Sequence, residues 1–403
     1  MPSVEIAPNV YWVGVNDRTT DLFEGLWPIT REGVSYNSYL IVDEKKVLVD
    51  LAKSFKSDDY FTQIAERISP AELDYVVINH MEPDHTGLLR TLLHMAPSAT
   101  LICTPKAQKM LGDFYGITER VKVVADGEEL STGSKTLTFV TTPFVHWPET
   151  MMTLDGTDGI LFSCDGFGGY GAFHGAVFDD SCKELAFYES EALRYFANIV
   201  AKFHVSVIKA IDKLGGAAPK MIAPSHGLIW RKHPERIIQL YREWASFGRE
   251  PGRPEVTLLY GSMYGNTEAM MNAVAHGIAS EGVALDIFDA ARIHVSYILP
   301  SLWTRRGVMI GAPTYEGGIF PPVGEALRIA GHKAVRKRSA AMFGSYGWSG
   351  GARRELEKII EPLDWTLTDT LELPGGPTPE QLRKAERFGA RFAASLKRPD
   401  TGS

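Results

Sequence analysis

Four potential metal ligands crowd six positions of the segment Asn79-His80-Met81-Glu82-Pro83-Asp84-His85-Thr86-Gly87, directly after the apolar stretch Tyr75–Ile78. Packing has no use for His-x-Glu-x-Asp-His behind a buried strand, and carboxylates so close repel one another unless cations neutralise them. Alternation along an extended chain sends His80, Glu82 and Asp84 one way, and a turn at Pro83 frees His85 for a second ion. Three later segments also end apolar stretches with a ligand: His146 in Phe144-Val145-His146-Trp147-Pro148, Asp165 after Ile160–Ser163, and His226 in Pro224-Ser225-His226-Gly227. Alone, each of these is an ordinary histidine or a solvated acid. Together, four imidazoles and three carboxylates suffice for two metal ions with one carboxylate bridging. Neutral imidazoles and three carboxylates sum to −3, so two divalent cations leave the site at about +1 and two trivalent cations at about +3, before any bridging oxygen anion.

A second chemistry lies further along. The apolar run Val256–Tyr260 leads into Gly261-Ser262-Met263-Tyr264-Gly265-Asn266-Thr267-Glu268 and then a helical pattern. The hydroxyls of Ser262 and Thr267, the Asn266 side chain and successive backbone N–H groups converge at a helix N-terminus, an anion site needing no lysine. The loop lacks the Gly-Lys-Ser/Thr of a nucleotide-hydrolysing loop and is not Gly-x-Gly-x-x-Gly. Two later strand ends are Gly-rich with an aromatic. One is Gly311-Ala312-Pro313-Thr314-Tyr315-Glu316-Gly317-Gly318; the other is Gly344-Ser345-Tyr346-Gly347-Trp348-Ser349-Gly350-Gly351. Such loops offer backbone contacts and ring stacking to a flat heterocycle, with Tyr315 and Trp348 the candidate stackers.

These groups need two different scaffolds. The segment Phe247–Pro254 holds two Gly and two Pro and reads as a linker between domains at 1–250 and 254–403. Before it come many short strands: Val10–Val15, Ser38–Val42, Val47–Asp50, Tyr75–Ile78, Thr100–Cys103, Val121–Val124, Leu137–Val140, Ile160–Ser163 and Met221–Ala223. Helices are expected at Asp58–Ile68, Gly87–Met95, Lys106–Phe114, Glu184–Leu214 with a break, and Glu235–Ser246. After the linker, strands Val256–Tyr260, Ala284–Phe288, Gly307–Ile310, Ala340–Phe343 and Thr366–Leu371 alternate with helices Thr267–Ser280, Val323–Ile329, Ala352–Ile360 and Pro379–Leu396. Thr378, Pro379 and Gln381 spell the capped start of the last helix. Five strands alternating with helices predict a doubly wound parallel sheet, with its ligand at the carboxyl ends of the strands. The tail Arg398–Ser403 is expected to fray.

Composition removes other classes. The chain has 403 residues, and 42 basic against 49 acidic residues give a net charge of −7, which argues against nucleic acid as a partner. No apolar run approaches a membrane span, and the first residues lack the pattern of a secretory signal, so a cytoplasmic, membrane-free protein is expected. Three cysteines, Cys103, Cys164 and Cys182, with no Cys-x-x-Cys, exclude a disulfide framework and a four-thiolate centre.

The metal pattern resembles the metallo-β-lactamase superfamily, whose hydrolases carry His-x-His-x-Asp-His followed by His, Asp and His. The departure is Glu82 in place of the second His; added hard carboxylate favours iron or manganese over zinc. The loop Ser262–Thr267 resembles the flavodoxin loop Ser/Thr-x-x-Gly-Asn-Thr, which holds the phosphate of FMN. Joined, the two halves are similar to the flavodiiron proteins (A-type flavoproteins) along essentially the whole chain. That resemblance implies an N-terminal αββα metallo-β-lactamase-like sandwich and a C-terminal flavodoxin-like domain. It also implies FMN held by residues 262–267, 312–315 and 345–350, and two irons. One iron would sit on His80, Glu82 and His146, the other on Asp84, His85 and His226, with Asp165 bridging. The implied activity is reduction of dioxygen to water, of nitric oxide to nitrous oxide, or both. Electrons would come from an external donor, a rubredoxin or a reduced deazaflavin, since no rubredoxin-like module is visible. Head-to-tail homodimers, or dimers of these, would bring the FMN of one subunit to the irons of the other. Many members carry a His where this chain has Glu24; if that residue lines the substrate pocket the change alters proton supply or gas selectivity, the alternative being a surface acid. Tyr195 matches a pocket tyrosine that would donate a hydrogen bond to a bound intermediate, the alternative being a core tyrosine. Two other classes stand beside this reading: a metal-dependent hydrolase with an accessory flavodoxin domain, and an FMN electron carrier without gas reductase activity.

Overall fold

The structure is a computed structural model that describes residues 1–215 and 218–397, so the expected frayed tail lies outside the described residues. The chain divides into two compact units, Met1–Glu243 and Trp244–Ser403. The division falls a few residues before the Gly/Pro-rich segment read as a linker. The last two residues of that segment are already strand, in Arg253–Tyr260.

The first unit holds two sheets. The seven-stranded sheet runs in the order Val4–Ala7, Val10–Trp12, Tyr39–Val42, Lys46–Val49, Tyr75–Val77, Thr100–Cys103, Val121–Val123. Its first four strands pair antiparallel, and the pairings from Lys46–Val49 onward are parallel. The five-stranded sheet runs Glu129–Ser131, Thr136–Thr141, Met151–Asp155, Ile160–Cys164, Met221–Pro224, with only the last pair parallel. Their inner faces meet through contacts such as Tyr39 on Phe162, ring centroids 5.1 Å apart, and the Tyr39 hydroxyl donating to the Pro224 carbonyl at 2.7 Å. The strands Tyr75–Val77 and Ile160–Cys164 are buried almost throughout, as strands covered on both faces must be.

Several elements escape the sequence pattern. Val4–Ala7, Glu129–Ser131 and Met151–Asp155 are strands that no apolar alternation announces. The segment read as one broken helix is Leu185–Tyr195, a π-helical turn Phe196–Val200, a 3₁₀ turn, and His204–Leu214.

The second unit is a five-stranded, wholly parallel sheet. Its order is Leu285–Asp289, Arg253–Tyr260, Arg305–Gly311, Ser339–Tyr346, Thr366–Pro374, the flavodoxin-like 2-1-3-4-5 arrangement. Helices Asn266–Ser280, Val295–Thr304, Pro321–His332, Ala352–Ile360 and Pro379–Leu396 connect and follow the strands. Val295–Thr304 was not expected, because Pro300 sits inside it; its first turn is capped by the His294 side chain, which accepts from Ser296 N–H. The capping box of the last helix forms as read: Thr378 accepts from Gln381 N–H, and Gln381 accepts from Thr378 N–H at 2.7 Å. That helix lies directly on Asn266–Ser280. A side-chain carbon at Gly277 would fall 1.9 Å from the Glu386 carbonyl, and one at Gly389 would fall 2.2 Å from the Val274 carbonyl. Only glycine permits so close a backbone approach.

Candidate metal centre and nucleotide cleft

The strand Tyr75–Val77 ends in the sequence Ile78–Met81, and Pro83 then starts a short helical turn, Pro83–Thr86. That turn corrects the simple alternation expected for this segment. His80 and Glu82 face one way, with His146 and Asp165, while Asp84 joins His85 and His226 in a second group. A proline at the first helical position needs no hydrogen-bond donor, so the chain changes period from two to 3.6 between Glu82 and Asp84. His146 comes from the loop after Thr136–Thr141, Asp165 directly follows Ile160–Cys164, and His226 follows Met221–Pro224. All seven sequence-derived ligands meet in one place.

Asp165 stands at the centre. Its Oδ2 lies 3.4 Å from His80 Nε2 and 3.3 Å from His146 Nε2. Its Oδ1 lies 3.1 Å from His85 Nε2 and 3.3 Å from His226 Nε2. Glu82 Oε2 completes the first group at 3.2 Å from His80 and 3.1 Å from His146. Asp84 completes the second, with one oxygen 3.3 Å from His85 and the other 3.3 Å from His226. One carboxylate therefore turns a different oxygen to each trio.

The donor set fits a pair of cations. Both oxygens of Asp84, both of Asp165, and Nε2 of His85 and of His226 are buried yet make no hydrogen bond. Buried polar atoms left so are costly unless something else satisfies them. The outer ring nitrogens of His80 and His226 are tied back, as ligating histidines require. His80 Nδ1 lies 2.7 Å from Glu149 Oε1, and His226 Nδ1 lies 2.8 Å from the Ser35 carbonyl. Burial opposes charge on these rings, but the surrounding carboxylates win: His80 and His226 are held up to about 10, His85 and His146 up to about 9. Asp165 is driven well below the usual carboxylate range against its burial, chiefly by His85, His146 and His226. Among the described residues, the four imidazoles are the groups that face these acids and offset their charge.

Glu149 is the residue that sequence reading missed. It is buried, and its Oε1 also accepts from Met81 N–H at 3.0 Å. The available signal was the rule that a ligating histidine seeks a second carboxylate partner, applied to an acid three residues after His146.

Glu24 and Tyr195 both border the centre. Tyr195 is fully buried, its ring is 5.7 Å from His226, and its hydroxyl makes no hydrogen bond. Glu24 sits at the tip of the hairpin Leu22–Phe23/Trp27–Pro28, where Trp27 Nε1 donates to its Oε2 at 3.0 Å. Burial of the carboxyl and the neighbouring Glu82 charge push Glu24 up to about 7, with His146 and Trp27 pulling the other way.

In the second unit the carboxyl ends of the strands open into a cleft of about 420 Å³. Ser262, Met263, Tyr264, Asn266 and Thr267 form one wall; Pro313, Thr314, Tyr315, Ser345, Tyr346, Gly347 and Trp348 form the others. Glu316 and Gly375 also line it and were not foreseen. Gly265 supports the cleft from the N-cap of Asn266–Ser280 with φ +91°, a conformation that favours glycine. Ala312, Ser349 and Gly350 are not among the lining residues. Ala312 is buried in the sheet, its N–H donating to the Phe343 carbonyl, and Ser349 and Gly350 lie beyond Trp348 on the surface. The Ser262 hydroxyl accepts from Gly265 N–H at 3.1 Å, shaping the loop at the helix N-terminus. Tyr264 and Trp348, large flat rings beside the cleft, stand 91% and 94% exposed. A helix N-terminus, hydroxyls and open aryl faces around one cleft fit a phosphorylated flat heterocycle.

Comparison with known proteins agrees with both halves. Residues 34–227 match the model of the ODP family beta lactamases, and residues 258–389 match the flavodoxin model. The anaerobic nitric oxide reductase flavorubredoxin of Escherichia coli (strain K12) is 35% identical over 97% of this chain and 82% of its own length. An uncharacterized protein of Methanocaldococcus jannaschii is 33% identical over 97% of this chain and 98% of its own. Among solved structures, the rubredoxin oxygen:oxidoreductase of the anaerobe Desulfovibrio gigas superposes with a TM-score of 0.92 at 29% identity, over 98% of each chain. The flavodiiron protein of Giardia intestinalis gives 0.93 at 29%, over 98% of this chain and 97% of that one. With the two-sheet metal unit, the flavodoxin-like unit and relatives along nearly its whole length, the chain belongs to the flavodiiron protein family.

Proposed function

We propose that the protein is an oxidoreductase that reduces dioxygen, nitric oxide or both, with electrons passed through FMN to a diiron centre. The observation that carries this reading is Asp165, whose two oxygens address two separate ligand trios. His80, Glu82 and His146 would hold one iron; Asp84, His85 and His226 would hold the other, with Asp165 between them. The loop Ser262–Thr267 would hold the FMN phosphate, with Tyr315 and Trp348 against the ring. When bound, the irons supply Lewis acidity and electrons at the gas, and the flavin relays electrons one at a time.

The chain's own groups do the rest. Glu149 and the Ser35 carbonyl fix the tautomer and aim of His80 and His226. Among the described residues the buried Tyr195 hydroxyl makes no hydrogen bond, so it can donate to a bound ligand. Glu24, held near neutral at the pocket mouth, can deliver a proton from the solvent side.

An external donor feeds the flavin, a rubredoxin one electron at a time or a reduced deazaflavin as a two-electron hydride. The Desulfovibrio gigas relative is named for rubredoxin, and a rubredoxin or a reduced deazaflavin is the donor we propose here. A head-to-tail homodimer, alone or paired again, would bring one subunit's flavin to its partner's irons, because electron tunnelling demands close cofactors. Among the described residues no helix is long and apolar enough to cross a membrane. Three free thiols agree with a reducing cytoplasm. The test is anaerobic stopped-flow of fully reduced protein mixed separately with each gas. Rapid flavin reoxidation by at least one is expected. Reoxidation by neither, or purified protein holding zinc without iron, overturns the reading.

A further inference from the structure

We propose that Arg194 is a positioning residue of the metal pocket, clamping the hairpin Leu22–Pro28 so that Phe23 is held against Tyr195 and His226. Arg194 is only 2% exposed, yet its guanidinium serves three parts of the chain. Its Nε donates to Glu191 Oε2 on its own helix at 2.8 Å, and its Nη1 donates to the Pro28 carbonyl at 2.8 Å. Its Nη2 lies 3.3 Å from Glu32 Oε2, and the guanidinium carbon lies 4.4 Å over the Tyr170 ring.

Pro28 is the end of the hairpin. It pairs with Leu22, and Trp27 pairs with Phe23. The Phe23 ring then meets His226 edge-on at 5.4 Å and Tyr195 at 6.0 Å, while Trp27 holds the Glu24 carboxylate. Fixing one carbonyl of this short ribbon thus fixes an aromatic wall and an acid at the pocket. Phe23 and Trp27 are buried and anchor the ribbon, but each of its strands has only two residues and its Glu24–Leu26 turn is exposed. Isolated two-stranded ribbons are marginal in water. Immediately after Tyr195 the helix passes into the π-helical turn Phe196–Val200. Such turns are frequent at functional sites, and here one follows a neighbouring pair whose first residue reaches the hairpin and whose second reaches the pocket. A lysine would keep the charge but could not present a planar fork to Glu191 and Pro28 at once.

The test uses the cofactor-loaded protein with Arg194→Lys and, in case that variant folds poorly, Glu32→Gln. Amide exchange is followed by mass spectrometry over residues 20–33, where Leu26 N–H donates to Phe23 and Ile29 N–H to Asp21, and over Met151–Asp155 as reference. In Arg194→Lys the hairpin amides should exchange about tenfold faster with the reference strand unchanged. Iron content should hold while kcat/KM for the gas falls through KM more than through kcat. Glu32→Gln should move both readouts the same way by less. Unchanged hairpin exchange, exchange that rises equally across the unit, or a loosened hairpin with unaltered gas kinetics overturns the proposal. The kinetic arm rests on the gas-reductase reading; if neither gas reoxidises the unaltered protein, that reading fails, and the exchange arm still decides the clamp.

Discussion

His80, His85, Asp165 and His226 are sealed from solvent almost completely, whereas Tyr264 and Trp348 stand nearly naked beside the cleft of the other unit. In the first site specificity lies in side-chain charge: three acids and four imidazoles that no other packing logic would collect. In the second it lies in backbone shape: a left-handed Gly265, a helix N-terminus and strand ends, with side chains that lend stacking area. A buried cluster must be satisfied group by group and fails sharply when one group goes. An open cleft of many modest contacts fails gradually.

The largest expected effect is at Asp165. Asp165→Asn removes the shared anion, and metal content measured on purified protein should fall for both ions together. The loss of affinity should exceed the roughly 10–100-fold typical of outer-sphere partners. Retention of one full equivalent would break the idea that the carboxylate serves both trios.

Next comes proton release. In stripped protein the four histidines are held at about 9 to 10, above the ordinary 6.5. Groups raised in the folded state stabilise it fully below their unfolded value, and that contribution drains away as pH climbs through the folded value. The melting temperature of stripped protein should therefore decline from about pH 6.5 and level off above about pH 10. Metal loading at pH 7 should expel protons, seen calorimetrically as a dependence on buffer ionisation heat. No such dependence would mean the imidazoles are already neutral.

A smaller effect is expected at Glu149. Glu149→Gln should weaken one metal position by roughly 10–100-fold and spare the other, as read by metal competition. Smallest is Trp348→Ala, which removes a stacking face worth about 0.5–1.5 kcal/mol and should weaken FMN binding by up to about tenfold in a fluorescence titration. If it costs more than Glu149→Gln costs the metal, the gradual character given to the open cleft is wrong.

This contrast also explains what sequence alone could deliver. The clustering of these seven acids and imidazoles was legible because His-x-Glu-x-Asp-His at a strand end has no bland explanation. The parallel sheet was legible because its five strands carry apolar runs at regular spacing between helical patterns. Glu149 was not, since an acid in a loop looks solvated until a histidine is seen beside it. The two-group split at Pro83 was hidden because period-two alternation was extended across a residue that starts a helix. The helix Val295–Thr304 was lost to Pro300, whose intrinsic cost is outweighed by burial of Ile298, Leu299, Leu302 and Trp303. The π-helical turn at Phe196–Val200 leaves no periodic trace at all. In the cleft, the three loops were found by pattern, but which of their residues face inward depends on turn geometry that Ala312 and Ser349 do not advertise.

The close backbone approaches at Gly277 and Gly389 have a consequence for biogenesis. Asn266–Ser280 carries the loop that would grip the cofactor phosphate, yet its other flank rests backbone to backbone on Pro379–Leu396. A nascent chain still lacking those final turns has an unsupported grip. Flavin capture should therefore wait until the ribosome has delivered Pro379–Leu396, so that cofactor uptake reports that this helix has docked.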